Sequence, residues 1–68
     1  METFIDRMIE EEKQLKERIS KACNFTLTSN FEELTHTEQY LLQEQIRFMR
    51  GYYSCLQARI DYYSLVKG

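Results

Sequence analysis

The sequence predicts an all-α protein: an antiparallel hairpin of two long helices joined by a short helical elbow, assembling into a helical homo-oligomer. Three observations carry this. The chain has no proline, and its two glycines, Gly51 and Gly68, stand late, so nothing in the first half obliges a helix to break. Apolar residues recur at alternating steps of three and four through two long stretches, the spacing of a helix seam. Between those stretches, Ser29-Asn30-Phe31-Glu32 and Thr35-His36-Thr37-Glu38 each read as a capping box, with a hydroxyl at N-cap and a glutamate three residues on.

The chain reads as one domain over 1–68, with a first helix at about 3–23, an elbow at 24–35 and a second helix at about 36–66. In the first helix Ile5, Met8, Leu15, Ile19 and Ala22 form the seam. Position 12 belongs to the same series, so Glu12 interrupts an otherwise apolar stripe. It is expected to take hydrogen bonds from the Tyr53 hydroxyl and the Gln45 amide, because a buried carboxylate must find donors or be protonated. It also stands four residues before Lys16, a pairing worth a few tenths of a kcal/mol. Glu12 thus reads first as a polar layer that fixes register, and second as a ligand group. Glu11 lies at the edge of the stripe, one turn from Arg7.

The elbow splits into a corner at Asn24–Ser29 and one short turn at Asn30–Leu34. Phe25, Leu27, Phe31 and Leu34 give it apolar contacts of its own, and His36 reads as a solvated first-turn residue.

The second helix carries two apolar lines. One seam is Leu42, Ile46, Met49, Tyr53, Leu56, Ile60 and Tyr63; beside it run Leu41, Phe48, Tyr52, Cys55, Tyr62 and Val66. Together they span roughly 200° of surface, against the 100° or so that packing on one core requires. The helix is also long, about 46 Å against about 31 Å for the first, so the end carrying Asp61–Val66 would overhang its hairpin uncovered. Exposed apolar patches mark interaction sites. Self-association through the second helix is therefore expected, with Phe48, Cys55, Tyr63 and Val66 at the interface. A chain of 68 residues needs such help, since it buries only about 60% of the surface it exposes when unfolded.

Composition narrows the function classes. The net charge of −2 and the pI near 5.3 disfavour long nucleic acids, which select a basic face. No apolar run reaches the roughly 20 residues of a membrane span. With one histidine and no CxxC pair, no metal site is expected, and no cofactor motif appears. Cys23 and Cys55 read as free, buried thiols, too far apart in the hairpin to bridge. Nothing reads as a secretory signal, so the expected setting is a reducing, soluble compartment.

Catalytic vocabulary is absent: no phosphate loop, nucleophilic triad or two-metal carboxylate set occurs. Glu11 and Glu12 splay about 100° apart on a helix and cannot act as a facing acid and base. The chain does not read as an enzyme. The informative residues are the polar ones embedded in the second helix, Gln45 and Arg59. Arg59 sits among Tyr52, Cys55, Tyr62 and Tyr63, and has two readings. It forms an ion pair with Glu2 or Asp6 of the first helix, or it serves a phosphorylated ligand, with the guanidinium on phosphate and tyrosine faces on a base. On the second reading the ligand residues are Arg59, Tyr52, Tyr62, Gln45 and Arg7, at a junction between subunits.

The chain also resembles a family of small helical proteins encoded by tailed bacteriophages, crAss-like phages among them. The resembling residues are Phe4, Arg7-Met8, Glu11, Leu15, Arg18-Ile19, Lys21, Phe25, Phe31 and Leu34. They continue through Glu38, Leu41-Leu42, Gln45, Met49, Tyr52, Leu56 and Arg59-Ile60. Ala22-Cys23 departs from a pattern that usually places leucine near the end of the first helix. The resemblance implies a viral accessory protein acting in the cytoplasm of the bacterial host. By analogy with other small helical phage oligomers, the expected role is a sponge that sequesters a nucleotide immune signal, a cyclic nucleotide or an ADP-ribose-type molecule. The rival reading is an interaction module that docks on a host or phage protein through an outward face bearing Arg47, Arg50, Gln57 and Asp61.

Overall fold

The computed structural model describes residues 3–67. Helix α1 (Phe4–Phe25) begins on a capping box that the sequence reading did not single out. The Thr3 amide donates to the Asp6 carboxylate and the Asp6 amide to the Thr3 hydroxyl, both at 3.1 Å. This pairing satisfies two backbone donors that a helix start leaves open. The helix runs two residues past the expected end at Cys23. There Phe25 packs edge-on against Phe31, ring centroids 6.2 Å apart, and Thr26 closes the last turn by donating its amide to Ala22 and its hydroxyl to the Cys23 carbonyl.

The one-turn helix α2 (Ser29–Glu32) corrects the first of the two expected elbow caps. Its N-cap is Thr28, not Ser29. Thr28 holds the extended backbone that an N-cap requires, and its hydroxyl accepts the Phe31 amide at 3.4 Å. Phe31 is buried beneath the elbow, with Phe25 and Leu34 half-buried. Leu27, expected to join them, is 85% exposed, because the three-residue corner 26–28 is held by backbone and threonine hydrogen bonds and turns that side chain outward.

Helix α3 (His36–Lys67) opens on the second expected box. The Thr35 amide donates to Glu38 at 3.0 Å and the Glu38 amide to the Thr35 hydroxyl at 3.1 Å. These bonds hold the Glu38 carboxyl below its ordinary range. The Gln39 amide reaches back to the Phe31 carbonyl at 3.0 Å, tying the elbow to the base of α3. His36 is exposed, as a first-turn residue is expected to be.

Helices α1 and α3 pack against each other along the predicted seam. Met8 and Leu15 from α1 and Ile46 and Leu56 from α3 are buried, Leu56 almost completely. Glu12 lies in that stripe, half-buried between Met8 and Leu15. The expected donors do not reach it. Gln45 is exposed on the far side of the seam, and the Tyr53 hydroxyl instead accepts a hydrogen bond from Gln57 at 3.2 Å.

The molecule measures 49 × 19 × 14 Å, its long dimension set by the 32 residues of α3 at about 1.5 Å each. The extra length of α3 falls differently from expectation. Phe4 packs edge-on against Tyr63 at 4.9 Å, so Tyr63 is half-buried within its own chain. The uncovered aromatic and aliphatic groups at that end are Tyr62, Leu65 and Val66. At the other end the Gln39 side chain ties α3 to the elbow, while His36, Thr37 and Glu38 stay exposed.

Candidate functional site

Residues seven apart on a helix return to the same face, so Tyr52 and Arg59 lie in one strip along α3, with Cys55 between them and Tyr62 one turn further on. This strip is rotated away from the α1 contact, and it is exposed: Tyr52, Cys55, Arg59 and Tyr62 are all solvent-accessible. Antiparallel packing lays α1 along one side of it.

Tyr52 is the fixed point. Its hydroxyl donates to the Glu11 carboxylate of α1. That hydrogen bond, with partial burial and the negative charge of Glu11, raises the phenol above its ordinary range. The positive charge of Arg59 opposes the rise, which places the guanidinium within electrostatic reach of the phenol. Glu11 is the partner of Tyr52 that the sequence does not single out. Its signal was its place at the edge of the α1 stripe, where an antiparallel partner on α3 comes within reach.

Of the two ion pairs considered for Arg59, the one with Asp6 is not made. Asp6 is engaged by the Thr3 amide, and Glu2 lies outside the described residues. The ion pair recorded among the described residues is Glu44–Arg47, at 2.7 Å. Arg7 is exposed one turn before Glu11. The Phe4–Tyr63 and Glu11–Tyr52 contacts fix the register and set Arg7 level with the Cys55–Ile60 stretch of α3. Arg7 of α1 thus lies level with Arg59, the cation of the strip itself. Tyr62 joins it at the end of the hairpin, packed edge-on to Tyr63 at 5.2 Å.

Gln45 stands at the other end. It lines an open, apolar concavity of about 500 Å³ with Leu41, Glu44, Phe48, Met49 and Tyr52. Tyr52 is shared by this groove and the Arg59 strip, so Gln45, Tyr52, Arg59 and Tyr62 fall along one side of α3. Of the expected interface residues, Phe48, Cys55 and Val66 are exposed, whereas Tyr63 turns inward onto Phe4. Phe48 also carries Arg47 over its ring, 4.6 Å from the centroid.

Three details depart from the sequence reading. Arg50, placed on the outward face, reaches across to the Cys23 sulfur at 3.1 Å. Gln57, placed there too, is turned along the helix toward Tyr53. The cysteines are free but not buried: Cys23 is half-buried and Cys55 exposed.

A family model described as Sequestin matches residues 2–62, spanning α1, the elbow and α3 through Tyr62. The chain belongs to the Sequestin family. The match includes Arg7, Glu11, Gln45, Tyr52 and Arg59, and the family's name points to sequestration of a partner. A search of curated proteins found no match, and neither did a search of solved structures. Among the described residues of this Sequestin no helix is long and apolar enough to cross a membrane, and no cluster of histidine, cysteine or carboxylate residues is arranged for a metal.

Proposed function

We propose that this Sequestin is a phage accessory protein that binds and sequesters a nucleotide immune signal of the bacterial host. It acts in the host cytoplasm as a homo-oligomer, without a cofactor and without turning its ligand over. The observation that carries this reading is Arg59: an arginine in an exposed aromatic strip, engaged by no carboxylate among the described residues, beside a tyrosine whose hydroxyl is already held by Glu11. A guanidinium so placed offers its fork of donors to a phosphate. Tyr52 and Tyr62 offer aromatic faces to a base, Gln45 a polar edge, and Arg7 a second cation. The net charge of −2 disfavours a long polyanion but not a small ligand held by local groups.

The apolar concavity lined by Leu41 and Phe48 favours a second reading, in which the hairpin docks on a host or phage protein. Native mass spectrometry of the protein purified from infected cells separates the two. The sponge reading expects an assembled protein retaining a small nucleotide. A stoichiometric protein partner with no retained small molecule would replace it with the docking reading.

A further inference from the structure

We infer that α3 pairs antiparallel with α3 of a second copy, about a two-fold axis passing between Tyr52 and Cys55. The inference rests on the self-association proposed above and supplies its geometry. The exposed strip of α3, with Gln45 and Arg59 filling the gaps between its apolar members, keeps steps of four and three without a break from Leu41 to Val66. It is the heptad seam of a coiled coil, and it is exposed: Leu41, Phe48, Tyr62 and Val66 are each more than half accessible.

The order of residues in this seam selects its occupant. Folded back on itself about its midpoint, the strip sets Tyr52 against the partner's Cys55 and Leu41 against the partner's Val66. Its two polar members meet aromatic rings: Arg59 faces the partner's Phe48, and Gln45 faces the partner's Tyr62. A guanidinium over a phenyl ring is an attractive pairing, and Phe48 already holds one such cation, Arg47, on its ring. The parallel arrangement would instead set Arg59 against Arg59, two like charges at one level of the seam. Sliding the antiparallel pair by one heptad leaves two seam positions of each copy without a counterpart. The side of the seam away from α1 fits as well. There Gly51 of one copy lies opposite Ala58 of the other, and a side chain at Gly51 would meet nothing of its own chain within 4 Å. Two small residues at the centre let the helix backbones approach closely. Paired in this way, each Arg59 strip acquires the partner's Phe48, so the proposed ligand site is built from two copies.

The test uses full-length chains in a Cys23→Ser/Cys55→Ser background, one carrying Leu41→Cys and the other Val66→Cys. Both positions are exposed, so folding is checked simply by circular dichroism. Under mild oxidation the antiparallel pair predicts that the mixture forms a disulfide between the two variants, at least tenfold more than either variant forms with itself. Self-linking by each variant alone would show a parallel pair and overturn the proposal. No link in a mixture that sediments as an assembly, or a wild-type chain that stays monomeric at the same concentration, would overturn it too. The readout involves no nucleotide. Failure to bind a ligand would leave a positive cross-link standing, and failure to cross-link would leave ligand binding to be judged by titration.

Discussion

The Tyr52 hydroxyl donates a hydrogen bond to the Glu11 carboxylate across the hairpin, tying α3 to α1 where the exposed strip and the apolar groove meet. Because the bond and its surroundings raise the phenol's pKa, the protonated tyrosine is the form favoured by folding. Its contribution is complete below the tyrosine's unfolded value, about 10, and is lost as pH rises through the higher folded value. Tyr52→Phe should therefore unfold at a lower temperature than wild type at pH 7, and the gap should close at strongly alkaline pH. Thermal melts of both proteins across that range check this. No gap at pH 7 would mean that the hydroxyl stabilises nothing, and a gap that stayed constant would mean that its contribution does not depend on the phenol's proton.

The core makes a sharper claim. Leu56 is 1% exposed, and truncating a buried leucine costs about 2–5 kcal/mol. That is a large share of what a domain this small can hold. Leu56→Ala should lower the urea midpoint strongly or leave the chain unfolded. Leu27→Ala, on the corner, should change stability by less than about 0.5 kcal/mol. Comparable losses at the two positions would contradict the packing described above.

Glu12 is half-buried in the seam without the donors expected for it. A carboxylate in that position opposes folding unless paired, so Glu12→Leu should leave stability unchanged or raise it in denaturant titrations, with the helices intact by circular dichroism. A loss of several kcal/mol would show that the carboxylate balances a cation, on this chain or on a neighbouring copy.

These results show where the sequence was legible and where it was not. The two long helices, their shared seam and the Thr35–Glu38 cap follow from spacing and from local hydrogen-bond chemistry, which are properties of a few neighbouring residues. The elbow cap moved by one residue because adjacent hydroxyls, Thr28 and Ser29, offer the same chemistry and the corner geometry decides between them. Glu12 keeps its expected place in the stripe without its expected donors, and Glu11 at the edge receives the Tyr52 hydroxyl. Both lie near the stripe, and only the register set by Phe4 on Tyr63 determines which one faces a tyrosine hydroxyl. The long side chains were least legible of all. Arg50 and Gln57 occupy the helix positions expected of them, but their reach lets them turn toward Cys23 and Tyr53. The grouping of Tyr52, Tyr62, Gln45 and Arg59 on one side of α3 was readable from helical periodicity alone.

The central claim is that Arg59 holds a phosphate-bearing nucleotide, and calorimetric titration tests it most directly. Cyclic dinucleotides, cyclic trinucleotides and ADP-ribose derivatives are titrated into wild type and Arg59→Ala, with assembly state measured for each. A charge-assisted contact is worth about 1.5–3 kcal/mol, so the account predicts that one of these ligands binds wild type and binds Arg59→Ala roughly ten- to a hundredfold more weakly. Absence of binding by wild type, or equal binding by an Arg59→Ala protein that remains assembled, would contradict it.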